Sequence, residues 1–399
     1  MPGIFRESSV ARDLKESLFS LLLSTFGDFI TGITIGFFTG KINAVPALLI
    51  LIPPAIDMRG NIFASLGSRL GTYLHTGEIE IGKKNNILRE NVNSSFALTF
   101  SMSIYIGMIA WIIARNFGMK IDFIDMVLIS TLAGVFSAFI MIFFTFFVAF
   151  LSYRRGWNPD NLTAPLITLA GDVITLPLLF LSMEIVILTG RDEKMVLFAI
   201  LIIAAILNTI FSMKQPLSKR ILAESIPVFL ICGLLSSFSG SVLGSQFNAI
   251  IGSAALLTIV PAFLEDGGAI GGILAARFSS ALHIGEIKYD KKIPKSAKNL
   301  FVVMHVVGLV IFPLIGMFGH FIGTSMGLKS YGLLHMVIIS LIAGEMMILI
   351  VNILSYYVST ISFKMGVNPD NVAIPILTSL MDFIGVSCLV GVALLLTFS

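Results

Sequence analysis

Eleven stretches of this chain are apolar over about the 20 residues that a helix needs to cross a hydrocarbon layer. They lie at about 18–40, 44–75, 92–114, 124–151, 162–189, 194–212, 225–247, 249–282, 300–322, 332–358 and 371–397. Such a chain is predicted to be an all-α polytopic membrane protein. With 56% hydrophobic and 12% charged residues, it has too little charge to cover a water-facing surface, since soluble domains carry about a quarter. The net charge of +3 points to no nucleic-acid partner. Cys232 and Cys388 both fall in apolar runs and read as packing residues. Two runs, 44–75 and 249–282, meet Pro and Gly in their middle and are predicted to be broken helices.

The basic residues give the sidedness. With the N-terminus inside, 17 of the 26 Lys and Arg fall on cytoplasmic segments, six on external ones, and Arg59, Arg69 and Arg277 within spans. This positive-inside bias predicts a multi-pass protein of the plasma membrane with its N-terminus cytoplasmic and its C-terminus outside. The first span lacks a small-residue cleavage site and reads as a retained helix.

The chain is also duplicated. An offset of 208 residues aligns Pro53–Ile79 with Pro261–Ile287, with ten of 27 positions identical, and pairs Gly32 and Gly36 with Gly240 and Gly244. An offset of 210 aligns NPDNLTAPLITLAGD, ending at Asp172, with NPDNVAIPILTSLMD, ending at Asp382, with seven of 15 identical. Each copy carries five spans, and the extra span at 194–212 restores the parity needed for two parallel copies. The expected organisation is a first repeat over 1–190, a linking helix within 191–220 and a second repeat over 221–399, related by a pseudo-two-fold axis along the membrane normal. One chain would then suffice to form a central pathway.

Ionisable residues inside spans are costly and mark functional candidates. Asp172 and Asp382 stand at equivalent positions, about 16 Å along the helix from Asn161 and Asn371. The spacing i, i+4, i+7, i+11 puts Asn161, Pro165, Thr168 and Asp172 on one face, and Asn371, Pro375, Thr378 and Asp382 on one face of the other copy. Each proline removes a backbone donor and can leave the Asn161 or Asn371 carbonyl open to a cavity. Two such oxygen stripes facing each other suit a hard divalent cation, and Mg²⁺ in particular is held by one or two carboxylates while keeping several waters. The alternative is plain helix-to-helix hydrogen bonding.

Asp57 and Glu265 form a second equivalent pair, in the broken segments DMRGN and EDGGA. They suit a second cation site or an entrance ring, or else a structural turn. Arg69 and Arg277, with His75, Gly77, Glu78 and His283, Gly285, Glu286, read as anchors at helix C-termini, the glycines as C-caps. Asp28 and Glu345 face Ser236 and Val135 at the equivalent positions, and the sequence leaves open whether they pair with an arginine or hold a coupling ion. His305, His320 and His335 lack ligand spacing and read as structural.

On two duplicated motifs the chain resembles the MgtE-type magnesium transporter family, and more closely its tandem-repeat branch, which includes solute carrier family 41. One motif comprises Pro53, Gly60, Arg69, His75, Gly77 and Glu78, repeated at Pro261, Gly268, Arg277, His283, Gly285 and Glu286; the other is the NPDN…P…T…D segment. The resemblance implies two five-helix domains forming one pore, with Asp172 and Asp382 coordinating partly hydrated Mg²⁺. The copies differ where the first has MRGN and the second EDGG. The expected function is a Mg²⁺ transporter or channel with no enzymatic activity and no cofactor, the cation being its substrate and the bilayer its surroundings. Two alternatives stand beside it. One is a Na⁺- or H⁺-coupled exchanger using Asp28, Glu345, Asp57 or Glu265. The other is an intramembrane aspartyl protease, against which Leu169 stands where a GxGD-type signature needs glycine.

Overall fold

A computed structural model describes residues 7–75, 77–80, 85–154, 159–246, 253–283, 285, 287, 292–366 and 369–397. They form helices α1 (Glu7–Ala44), α2 (Leu48–His75), α3 (Asn86–Asn116), α4 (Phe123–Arg154), α5 (Pro159–Leu188) and α6 (Arg191–Met213). The chain continues through α7 (Pro216–Ser245), α8 (Ala255–His283), α9 (Lys295–Ser325), α10 (Leu333–Lys364) and α11 (Pro369–Thr397), and no strand occurs among the described residues. Among the described residues ten helices, α2 to α11, are long and apolar enough to cross a membrane. The protein is thus a polytopic all-α membrane protein.

Local chemistry explains the helix ends. α5, α7 and α11 each begin at a proline, whose fixed φ suits the first helical position and whose missing N–H would go unused there. α2 ends in a reversed turn in which Gly77 takes φ +75° and the Ile79 N–H donates to the Tyr73 carbonyl at 3.1 Å. α8 ends the same way, with Gly285 at φ +76° and Ile287 N–H donating to Ala281 O at 3.2 Å. Both glycines occupy the left-handed position that closes a helix, as expected from the sequence.

The two segments expected to be broken are continuous helices. Pro53 and Pro54 lie inside α2 and Pro261 inside α8 without ending either. All three stand past the four N–H groups that a helix start leaves unpaired, so each leaves the carbonyl four residues earlier, Leu49, Ile50 or Leu257, without its helical donor while the helix continues. The glycines that follow serve contact instead of chain reversal. A Cβ at Gly60 would lie 3.0 Å from Thr168 Cγ2, and one at Gly271 would lie 3.2 Å from Val351 Cγ2.

The helices gather into two compact units that divide the chain differently from its sequence copies. The N-unit is Gly40–Gly244, and the C-unit joins Met1–Thr39 to Ser245–Ser399. The first helices of the two copies are therefore exchanged: α7 belongs with α2 to α6, and α1 with α8 to α11. Within the N-unit α2 packs on α3, α4 and α5, while α6 touches α3 and α4; within the C-unit α8 packs on α9, α10 and α11. The apolar windows of α2 and α8 are 72% and 76% buried against 11% for α6, so α2 and α8 are the central helices and α6 is peripheral.

Small residues permit the exchange. A Cβ at Gly32 of α1 would overlap the Thr258 carbonyl of α8, and a Cβ at Gly240 of α7 would overlap the Ile50 carbonyl of α2. The start of α7 is also tied to α3. Glu90 Oε2 accepts from the backbone N–H groups of Leu217 at 2.9 Å and Ser218 at 3.2 Å, while Ser218 Oγ donates to the Glu90 carbonyl at 2.7 Å. Glu90→Ala is expected to cost about 1–2 kcal/mol, because it removes an anionic cap from two first-turn donors. A lowered thermal unfolding midpoint of the purified protein in detergent is the readout, with Glu90→Gln expected to fall between the two.

Candidate functional site

The duplicated aspartates sit at matching depth on matching helices. Asp172 is the fourteenth residue of α5 and Asp382 the fourteenth of α11. Asp172 is buried and Asp382 half-buried, and each belongs to a different unit. One turn before each stands the threonine of the stripe, Thr168 or Thr378. The Thr378 hydroxyl donates to the Pro375 carbonyl at 3.0 Å, which leaves its oxygen lone pairs as acceptors for a positive charge. The side chains of Asn161, Pro165 and Asn371 lie outside the described residues.

Each unit builds its oxygen stripe against the glycine of its central helix. In the N-unit, α2 crosses α5 where Gly60 meets Thr168 and where a Cβ at Gly171 would lie 3.2 Å from the Gly60 nitrogen. In the C-unit, α8 crosses α11 where Gly268 meets Thr378, at 3.7 Å for a built Cβ. These crossings bring Asp57 and Asp172 to one level of the N-unit, and Glu265 and Asp382 to one level of the C-unit, because each acid lies within about one turn of its crossing.

Asp57 accepts from two neutral side chains. Its Oδ2 accepts from Ser236 Oγ at 2.6 Å and its Oδ1 from Asn61 Nδ2 at 2.9 Å. Arg59, beside it in sequence, points elsewhere: it is 1% exposed, donates through Nη2 to Ser103 Oγ at 2.6 Å, and its Nη2 lies near Gly134 of α4. The guanidinium is thus buried against α3 and α4.

Other sequence candidates find specific partners. Arg69 Nε donates to Asn91 Oδ1 of α3 at 2.8 Å, in keeping with an anchor. His305, expected to be isolated, has Nδ1 2.6 Å from Glu345 Oε2. The 40-residue separation hid this pair, which forms because α9 and α10 pack along each other. His320 Nδ1 meets Ser330 Oγ at 2.9 Å and is structural. Asp28 of α1 lies against α8, within electrostatic reach of Glu265 and Asp266. Asp266 stands where the first copy has Met58. Among the described residues no group of three His, Cys, Asp or Glu side chains closes on a single point. A cavity of about 480 Å³ at the α3–α4 turn of the N-unit is lined by Lys120, Asp122 and Asp125 among others, and Lys194 pairs with Asp125 at 2.8 Å.

Fold and acids together define a polytopic membrane protein with a duplicated set of mid-helix carboxylates. Comparison with known proteins agrees. The family described as MgtE, divalent cation transporter, matches twice, over residues 52–182 and 260–392. The chain belongs to the MgtE family of divalent cation transporters. It is similar to rat solute carrier family 41 member 3, 25% identical over 374 residues that cover 86% of this chain and 78% of the relative. Chicken solute carrier family 41 member 2 is 24% identical over 422 residues, covering 96% of this chain and 70% of the relative. The human member 2 is 23% identical, covering 97% and 71%. No solved structure matches the chain.

Proposed function

We propose that the protein moves Mg²⁺ across the plasma membrane, with Asp172 and Asp382 as its principal cation-binding carboxylates. The observation that carries this reading is the placement of the same Thr–Asp pair, one turn apart, in the middle of α5 and of α11. Hydroxyl, carbonyl and carboxylate oxygens are the ligands that a hard, partly hydrated Mg²⁺ prefers. Because one chain carries both copies, a single molecule supplies both carboxylates. With the N-terminus cytoplasmic, the membrane potential of roughly 2.3 kcal/mol per charge per 100 mV drives a divalent cation inward without further coupling.

Coupled exchange is the second reading, favoured by one observation. The C-unit holds Asp28, Glu265 and Asp266 where the N-unit holds Ser236, Asp57 and Met58. The two readings separate in proteoliposomes loaded with a Mg²⁺ indicator. Passive conduction gives Mg²⁺ entry driven by an imposed voltage alone; exchange gives entry or exit only against a Na⁺ or H⁺ gradient. Absence of Mg²⁺ movement under all three conditions would overturn the assignment.

A further inference from the structure

The two units share one construction but differ in charge at one level. In the N-unit α7 runs antiparallel to α2: Gly240 abuts the Ile50 carbonyl, Ser236 bonds Asp57, and Gly233 meets Met58, whose Cε would lie 3.1 Å from a Cβ there. In the C-unit α1 takes the same register along α8. Gly32 abuts the Thr258 carbonyl, Asp28 comes within electrostatic range of Glu265 and Asp266, and Thr25 Oγ1 donates to Asp266 Oδ2 at 2.6 Å. Every one of these positions is 208 residues from its counterpart.

Where the N-unit places one carboxylate between two neutral donors, the C-unit places three. Ala269 stands where Asn61 would donate. For Asp266 and Asp28 the donors among the described residues are hydroxyls: Thr25 to Asp266, and Ser24 Oγ to Asp28 Oδ2 at 3.3 Å. Asp28 and Asp266 are both 0% exposed, and the Oδ1 atom of each is buried with no hydrogen-bond partner. Among the described residues no Lys, Arg or His is bonded to either. A buried ionised carboxylate costs several kcal/mol unless a proton or a cation is supplied, and neutral hydroxyls supply neither.

We propose that Asp28 and Asp266, with Ser24 and Thr25, form a second cation site, present in the C-unit alone, that takes Na⁺. The burial selects the charge of the ion. A site this enclosed admits a cation only after most of its water is stripped, and the cost of stripping rises steeply with charge; Mg²⁺ sheds water reluctantly and is bound with several waters retained. Two neighbouring carboxylates and two hydroxyls therefore suit a small monovalent ion with hard-oxygen preference. Its place at the contact of the exchanged helix α1 with the central helix α8 makes the packing of α1 depend on the bound ion. A role as the coupling ion rests on the transport reading above; the binding itself does not.

The full chain, purified in detergent without Mg²⁺, provides the test. Thermal unfolding is followed in NaCl, KCl and choline chloride at one ionic strength and one pH, together with saturable binding of radioactive Na⁺. The wild type is expected to unfold at a higher midpoint in NaCl than in choline chloride and to bind Na⁺ saturably. The double variant Asp28→Ser, Asp266→Met copies the residues at the equivalent N-unit positions, so its packing has a precedent in the same molecule. It is expected to weaken Na⁺ binding at least about tenfold and to lose the Na⁺-specific shift. Asp28→Asn, which keeps the side-chain shape, gives the same direction should the double variant not fold. Equal midpoints in all three salts, an undiminished Na⁺ response in both variants, or a midpoint that follows pH but not Na⁺ would each overturn the site. Loss of Na⁺ binding with voltage-driven Mg²⁺ flux intact confirms the site independently of coupling; intact Na⁺ binding without any Mg²⁺ flux overturns the transport reading alone.

Discussion

Replacing Asp172 and Asp382 together by asparagine is expected to reduce Mg²⁺ flux in proteoliposomes to the level of protein-free vesicles, a loss of roughly a hundredfold or more. Asparagine keeps the size and the hydrogen-bonding oxygen of each side chain but removes both charges. A divalent ion that leaves bulk water needs those charges, because the alternative partners in the stripe are neutral dipoles. Each single variant is expected to lose less, since one carboxylate suffices to hold a partly hydrated Mg²⁺ weakly. Asp57→Asn is the informative contrast: Asp57 already accepts from Ser236 and Asn61, so its replacement should leave far more flux than the double change. Flux through the double variant equal to wild type would remove Asp172 and Asp382 from the pathway.

A second large effect is expected at the helix exchange. Gly32→Leu on α1 and Gly240→Leu on α7 each place a side chain into the carbonyl of a central helix, Thr258 or Ile50. The backbones must separate, and overpacking of this kind costs about 1–3 kcal/mol or more per site. Folded, monodisperse protein should fall sharply for either change, and the two together should abolish it. Gly40→Leu, on the same α1 but with nothing within 4 Å of its built Cβ, is the control and is expected to fold normally. If Gly32→Leu unfolds at the wild-type midpoint, α1 does not seat on α8 as described.

Several of these features were legible without coordinates. The apolar runs gave the helices, with α2 to α11 found as spans, and Gly77 and Gly285 were recognisable as helix-closing glycines because few other residues tolerate their positive φ. Prolines and glycines in α2 and α8 misled, because the same residues that break an isolated helix also allow two buried helices to approach closely. The partner of Asp266 was not legible in the same way, because the structure seats it against Thr25, 241 residues away.

Periodicity and duplication therefore determined the number of the helices and the matching positions of Asp172 and Asp382 along α5 and α11. Tertiary structure alone decided which central helix each first helix joins, where Arg59 points, that His305 meets Glu345, and that three acids gather in one unit. The physical reason lies in the solvent. Lipid tails are as apolar as the side chains they touch, so apolar patterning shows that a helix spans but not which neighbour it chooses. That choice rests on small residues that let backbones meet and on polar groups that must find partners, and both depend on shape in three dimensions.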